Sequence, residues 1–159
     1  MHAAFIGPVM NTDYYARLQR QVADLQLQGH VNFFGSHDNP IDIMPAFDII
    51  VLATEMETFG LVLIEAMRSG VAVVGSDAGG VPEIIEDGVS GLLFEPGNAA
   101  DLAAKLKRYC TDIALRDTVA AAGKARADEL FSLERHYQDL EQILLTTAFS
   151  GGDQSDGRR

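Results

Sequence analysis

The chain contains a single cysteine, Cys110. That excludes an internal disulfide and a thiolate metal cluster, and its place in a helical stretch predicts a packed side chain. No apolar run approaches the roughly 18 residues of a membrane-spanning helix, so no transmembrane segment is expected. Residues 1–7 have neither the basic region nor the long apolar stretch of a secretory signal. These absences point to a cytoplasmic protein. Positive charge is also scarce. The formal net charge is -11, and no Lys or Arg lies between Arg20 and Arg68 or between Arg68 and Lys105. Nucleic-acid backbones are held by clustered Lys and Arg, so no nucleic-acid partner is expected. A phosphorylated ligand in that stretch must rest on backbone amides or borrow cations from another segment. His2, His30, His37 and His136 show no ligand spacing, so no metal site is expected.

What is present is a 159-residue chain, 47% hydrophobic, enough for one domain with a substantial core. Short apolar runs alternate with longer helical patterns. Residues 3–7 read as a strand ending at the turn signal Gly7-Pro8. Asn11 can cap a helix running to about Gln28 and ended by Gly29. Residues 31–34 form a second strand, and residues 40–47 a short helix broken at Pro45. Residues 48–53 are apolar on both faces, as in a central parallel strand. Residues 59–69 form an apolar helix stopped by Gly70. Strands follow at 71–75 and 91–94, with a short helix at 82–86 carrying Pro82 in its first turn. From Asn98 onward the pattern is helical, with breaks near Thr111 and Phe131. The expected fold is therefore α/β, a Rossmann-like parallel sheet with helices on both faces. It would occupy residues 1–149 and be followed by a disordered Gly/Ser/Asp/Arg tail at 150–159.

In such sheets ligands bind beyond the carboxyl ends of the strands. The loop Thr54-Glu55-Met56-Glu57-Thr58 lies at such an end and leads into a helix. The first N–H groups of that helix lack internal partners and carry the positive end of its dipole. Gly60 has no side chain, so an anion can approach the backbone closely. Glu65 interrupts the run Leu61-Val62-Leu63-Ile64-Glu65-Ala66-Met67, where a carboxylate costs several kcal/mol, of order 2–7, unless it is hydrogen-bonded. It either meets a sugar diol or lies on an exposed strip, paired with Arg68 or Ser69. Glu57 either accepts from a sugar hydroxyl or is an ordinary loop carboxylate.

Glu57 and Glu65, separated by seven residues and enclosing Phe59-Gly60-Leu61-Val62, resemble the E-x7-E motif of family-4-type retaining glycosyltransferases, enzymes of two Rossmann-like domains (GT-B architecture). The resemblance extends in order through Ala4-Phe5-Ile6-Gly7-Pro8, Val31-Asn32-Phe33-Phe34-Gly35, Gly79-Gly80-Val81-Pro82-Glu83-Ile84-Ile85 and Asp87-Gly88-Val89-Ser90-Gly91-Leu92-Leu93. It implies that Glu65 binds the ribose hydroxyls of a nucleotide-sugar donor and that Glu57 contacts the donor sugar as the catalytic residue. Amides around Phe59, Gly60 and Leu61 would hold the diphosphate, and the loop at Gly35 would lie by the base. Gly79 and Gly80 would let their loop pack against the donor pocket, or serve as plain turn glycines.

The same resemblance implies transfer of a hexose without a metal or other cofactor. It also implies that a strand-helix unit carrying an Arg and a Lys, and an acceptor-binding domain before it, are missing. That domain, or a partner chain in its place, would hold the unknown acceptor and could bring the protein to a membrane surface. The chain then reads as an incomplete, C-terminal donor-binding domain, with little or no transferase activity alone. A non-catalytic nucleotide-sugar-binding or assembly module of the same fold is the alternative.

Overall fold

The computed structural model describes residues 1–150. The tail expected from Ser150 onward therefore lies, beyond that residue, outside the described residues. The chain forms two compact units, Met1–Asp42 and a second beginning at Ile43.

In the first unit, β1 (Ala3–Ile6) and β2 (Val31–Gly35) pair in parallel, Ala3 opposite Val31 and Phe5 opposite Phe33. Helix α1 (Thr12–Asp24) connects them. The Asn11 side chain accepts from the Tyr14 N–H at 2.9 Å, as its place before the helix predicts. The helix is shorter than the sequence suggests. It stops at Asp24, and Gln26 takes a left-handed backbone with φ 57°. Only Gly adopts that conformation freely, so nothing in the residue types marks Gln26 as the turning point. Gly29 lies beyond the stop. Phe33 stacks on Phe5 and takes the edge of Tyr15, tying α1 to both strands.

Helix α2 (Pro40–Ile43) crosses the boundary and runs into a 3-10 turn, Met44–Ala46, which opens the second unit with Pro45 inside it. Then follow β3 (Ile49–Leu52), α3 (Leu61–Arg68), β4 (Ala72–Ser76), α4 (Val81–Ile84) and β5 (Leu92–Phe94). Helices α5 (Ala99–Thr111), α6 (Ile113–Leu130) and α7 (Leu133–Ser150) complete it. The strands lie in the order β3-β4-β5, all parallel, with Ile50 opposite Val73 and Val74 opposite Leu92. The central strand of this sheet is β4, every residue of which is buried. β3, read from sequence as the central one, is the outer strand and exposes Val51. Both runs are apolar throughout, and composition does not reveal which is flanked on both sides.

Alternation along β4 divides the core into two clusters. Val73 faces Leu63, Ile64 and Met67 of α3, Val81 and Ile84 of α4, and Ala127 of α6. Ala72 and Val74 face Leu92, Phe94, Tyr109 of α5, and Val119 of α6. Full burial of a side chain such as Leu63 or Met67 contributes about 1.5–3 kcal/mol, so these clusters fix α3 and α4 firmly against the sheet. Cys110 is exposed rather than packed. Its neighbour Tyr109 takes the core position, its hydroxyl donating to the Val73 carbonyl at 3.4 Å, and one step along a helix turns Cys110 away. Among the described residues no helix is long and apolar enough to cross a membrane.

Candidate functional site

The loops after β3 and β4 meet at the carboxyl end of the sheet. The first is shaped by its own polar groups. Ser76 Oγ, wholly buried at the end of β4, accepts from the Thr54 N–H at 3.4 Å. Thr54 Oγ1 donates to the Met56 carbonyl at 2.7 Å, closing a tight turn. Glu57 follows, partly buried. Its Oε1 accepts from the Thr58 N–H at 3.0 Å and the Phe59 N–H at 3.4 Å.

The second loop is pressed against the first. The Gly80 N–H donates to the Glu57 carbonyl at 3.0 Å. A Cβ on Gly79 would lie 1.9 Å from that carbonyl oxygen, and one on Gly80 would lie 2.6 Å from the Thr58 carbonyl oxygen. Gly79 also has φ 55°. The two glycines are thus demanded by contact with the Glu57 loop and are more than generic turn residues.

Gly60 is buried, with φ 82°, and starts α3 without any side-chain cap. The N–H groups of Gly60 and Leu61 have no intrahelical acceptor, and Leu61 is 62% exposed. The Phe59 ring stands edge-on to Phe131 at 6.2 Å. Of the three amides expected to form the cradle, that of Phe59 donates to Glu57 Oε1, and those of Gly60 and Leu61 have no acceptor within the helix.

Glu65 is partly buried on α3, between Ile64 and Ala66, both buried. Its carboxylate makes no hydrogen bond or ion pair with any described residue. The pairing with Arg68 or Ser69 that the spacing allowed does not occur. Arg68 turns to Asp128 at 3.5 Å, and Ser69 Oγ donates to the Glu65 backbone carbonyl at 2.8 Å. Glu57, Phe59, Gly60, Leu61, Glu65, Gly79 and Gly80 are therefore carried by two touching loops and one helix. Gly35 closes β2 in the first unit with φ 70°. Among the described residues no group of three or more His, Cys, Asp or Glu is placed to hold a metal.

The basic side chains around these elements are engaged. Lys124 Nζ donates to the Arg68 carbonyl at 2.9 Å, capping the carboxyl end of α3. Arg126 donates from Nε to the Ile84 carbonyl at 2.8 Å and from Nη2 to the Glu83 carbonyl at 3.1 Å. Sequence reasoning missed Arg126, which looks like any solvated residue of a charged helix. Ser76 carried a weak signal, a polar residue ending an apolar strand.

A parallel α/β unit with an uncapped helix start and a carboxylate without a described partner at the carboxyl ends of its strands has the layout of a nucleotide-binding domain. The chain belongs to the family of glycosyl transferases group 1, whose sequence profile matches residues 1–126. It is 31% identical to N-acetyl-alpha-D-glucosaminyl L-malate synthase of Bacillus anthracis over 129 residues, 81% of this chain and 34% of that protein. HepE of Anabaena, solved with UDP, superposes with TM-score 0.88 at 30% identity, over 92% of this chain and 41% of that one. HepE has also been solved with UDP-glucose. The C-terminal domain of a glycosyl transferase group 1 family protein (LpcC) from Francisella tularensis superposes with TM-score 0.70 at 33% identity, over 76% of this chain and 64% of that one. The structural neighbours are GT-B glycosyltransferases. This chain spans about a third of the length of the B. anthracis relative.

Proposed function

We propose that this chain is the donor-binding part of a retaining glycosyltransferase that moves a hexose from a nucleoside-diphosphate sugar to an acceptor held elsewhere. The observation that carries the reading is Glu65, a partly buried carboxylate on an apolar helix with no described partner. Two vicinal ribose hydroxyls would supply the hydrogen bonds it lacks. Gly60 and Leu61 N–H groups at the start of α3 would receive the diphosphate, aided by the helix dipole. Glu57 Oε1 is occupied by loop amides, which leaves Oε2 to accept from a hydroxyl of the donor sugar. Departure of the nucleoside diphosphate builds negative charge on its oxygens, and preorganised donors stabilise that charge. The amides present are few, so additional cations from outside this chain complete the site, and the isolated chain transfers sugar slowly or not at all. No metal or cofactor is part of this reading, and the protein works in the cytoplasm, at a membrane surface where its acceptor requires it.

Titration calorimetry with UDP, GDP and ADP tests the donor site directly. One of the three binds the wild-type chain, and Glu65→Ala weakens it by about tenfold or more, the usual scale for hydrogen bonds to a charged group. Absence of binding by all three at millimolar ligand removes the donor reading for this chain. One observation favours the second reading, a binding or assembly module without chemistry: Glu57 is folded back on its own loop amides, a purely architectural use. Under that reading Glu57→Gln changes loop stability alone. Under the first it abolishes sugar transfer by the full-length protein while nucleotide affinity persists.

A further inference from the structure

Helix α4 has a single turn, Val81–Ile84, yet it sets the floor of the candidate site. It follows directly on Gly80, whose N–H holds the Glu57 carbonyl. The Ile84 side chain lies 3.3 Å from where a Cβ on Gly60 would stand, so the same turn also backs the start of α3. A helix this short has no internal hydrogen-bond ladder to speak of, and its last carbonyls are orphans. Arg126 of α6 takes two of them, Ile84 and Glu83, with a further ion pair to Glu86 at 3.7 Å. The Arg126 side chain is 28% exposed, whereas that of Glu86 is 59% exposed. The two carbonyl bonds are therefore the firmer link and the ion pair the weaker one.

We propose that Arg126 is a positioning residue for the Glu57–Gly60 loop, acting through α4 and Gly80 without touching any ligand. The role in donor binding rests on the reading of Glu57 and Gly60 given above; the mechanical link does not. Arg126 holds the carboxyl end of α4. The α4 turn then keeps Gly79 and Gly80 seated on Glu57 and Thr58, which sets the direction of the Glu57 carboxylate and of the Gly60 and Leu61 amides. The chain of contacts runs from a helix late in the sequence to the loop that precedes α3.

Residue-resolved hydrogen exchange on the full chain tests the link. In Arg126→Ala the Gly80 amide exchanges about tenfold faster, while Val73 and Val74 in β4 keep their protection. Arg126→Lys, which keeps a donor near the same carbonyls, restores part of the protection. Glu86→Gln leaves it unchanged. UDP titrated into the same samples binds Arg126→Ala about threefold to tenfold more weakly than wild type. An unchanged Gly80 amide, or an equal loss of protection at Gly80 and across β4, overturns the proposal, since the second marks a general loss of stability. Should the wild-type chain bind none of UDP, GDP and ADP, the donor reading fails by itself, and the exchange at Gly80 still decides the role of Arg126.

Discussion

At the amino end of the β3-β4-β5 sheet, Arg116 joins Asp48 at 3.0 Å and Asp117 at 3.4 Å, and Lys124 closes the last turn of α3. At the carboxyl end, α3 starts on Gly60 with no side-chain cap, and Glu65 faces no described donor. The same helix is therefore finished at one end and left open at the other. Other helices sharpen the contrast. Asn11, Asn98 and Asp112 cap α1, α5 and α6 through their side-chain oxygens. A cap contributes about 0.5–2 kcal/mol, so a helix start without one forgoes stability that its neighbours take. The capped α5 also starts at the carboxyl edge, just after β5, so the missing cap sets α3 apart from a neighbour at the same edge. That difference sets the start of α3 apart from the other long helices without reference to any motif.

The contrast can be broken by substitution. Gly79→Ala has the largest expected effect. Its methyl would overlap the Glu57 carbonyl and its backbone would keep φ 55°. A loss of about 2–4 kcal/mol in denaturant unfolding is expected, with donor binding lost as well; a stability close to wild type would mean the two loops do not touch in solution. Asn98→Ala comes next. It removes the cap of α5 at a cost of about 1 kcal/mol and leaves UDP affinity unaltered; a change in affinity would mean that the α5 cap supports the candidate site. Arg116→Met follows, at about 0.5–1 kcal/mol, because Asp48 and Asp117 are both exposed and solvent screens the pairs.

Tyr109→Phe is expected to do least at neutral pH. Burial raises the Tyr109 phenol above its ordinary value near 10. Folding thus favours the neutral phenol, and this contribution is intact below about pH 10 and lost as pH rises beyond it. Wild-type stability should fall in the alkaline range more steeply than that of the Phe variant. Parallel pH profiles would show that Tyr109 is not buried as described.

Turn chemistry made most elements legible in the sequence. Gly7-Pro8, Asn98, Thr111-Asp112 and Gly70 lie at or beside real boundaries, because glycine, proline and capping residues have few conformational alternatives. The stop of α1 was hidden, since Gln26 is an uncommon residue for a left-handed backbone. The place of β4 at the centre of its sheet was hidden too, since strand order depends on pairing between distant segments. Within the site, Glu65 stood out as a charge in an apolar run, and among the described residues its carboxylate has no hydrogen-bond or ion-pair partner. Glu57 was legible by position, but its engagement with Thr58 and Phe59 was not. Arg126 gave no signal because its firmer partners are backbone carbonyls, which every sequence possesses equally.

The bond from the Gly80 N–H to the Glu57 carbonyl also orders events in time. A ribosome releases Glu57 and its loop first, then α3 and β4, and only later the glycines that hold the loop in place. Until Gly80 emerges, the loop has no second wall. Until α6 follows, α4 has no anchor at its far end. The candidate site is thus among the last parts of the second unit able to close during synthesis, although the residues that define it are made early. A pause in translation between Glu57 and Arg126 would leave the apolar α3 segment released with its packing partners unmade, a state for chaperones to shield and proteases to find.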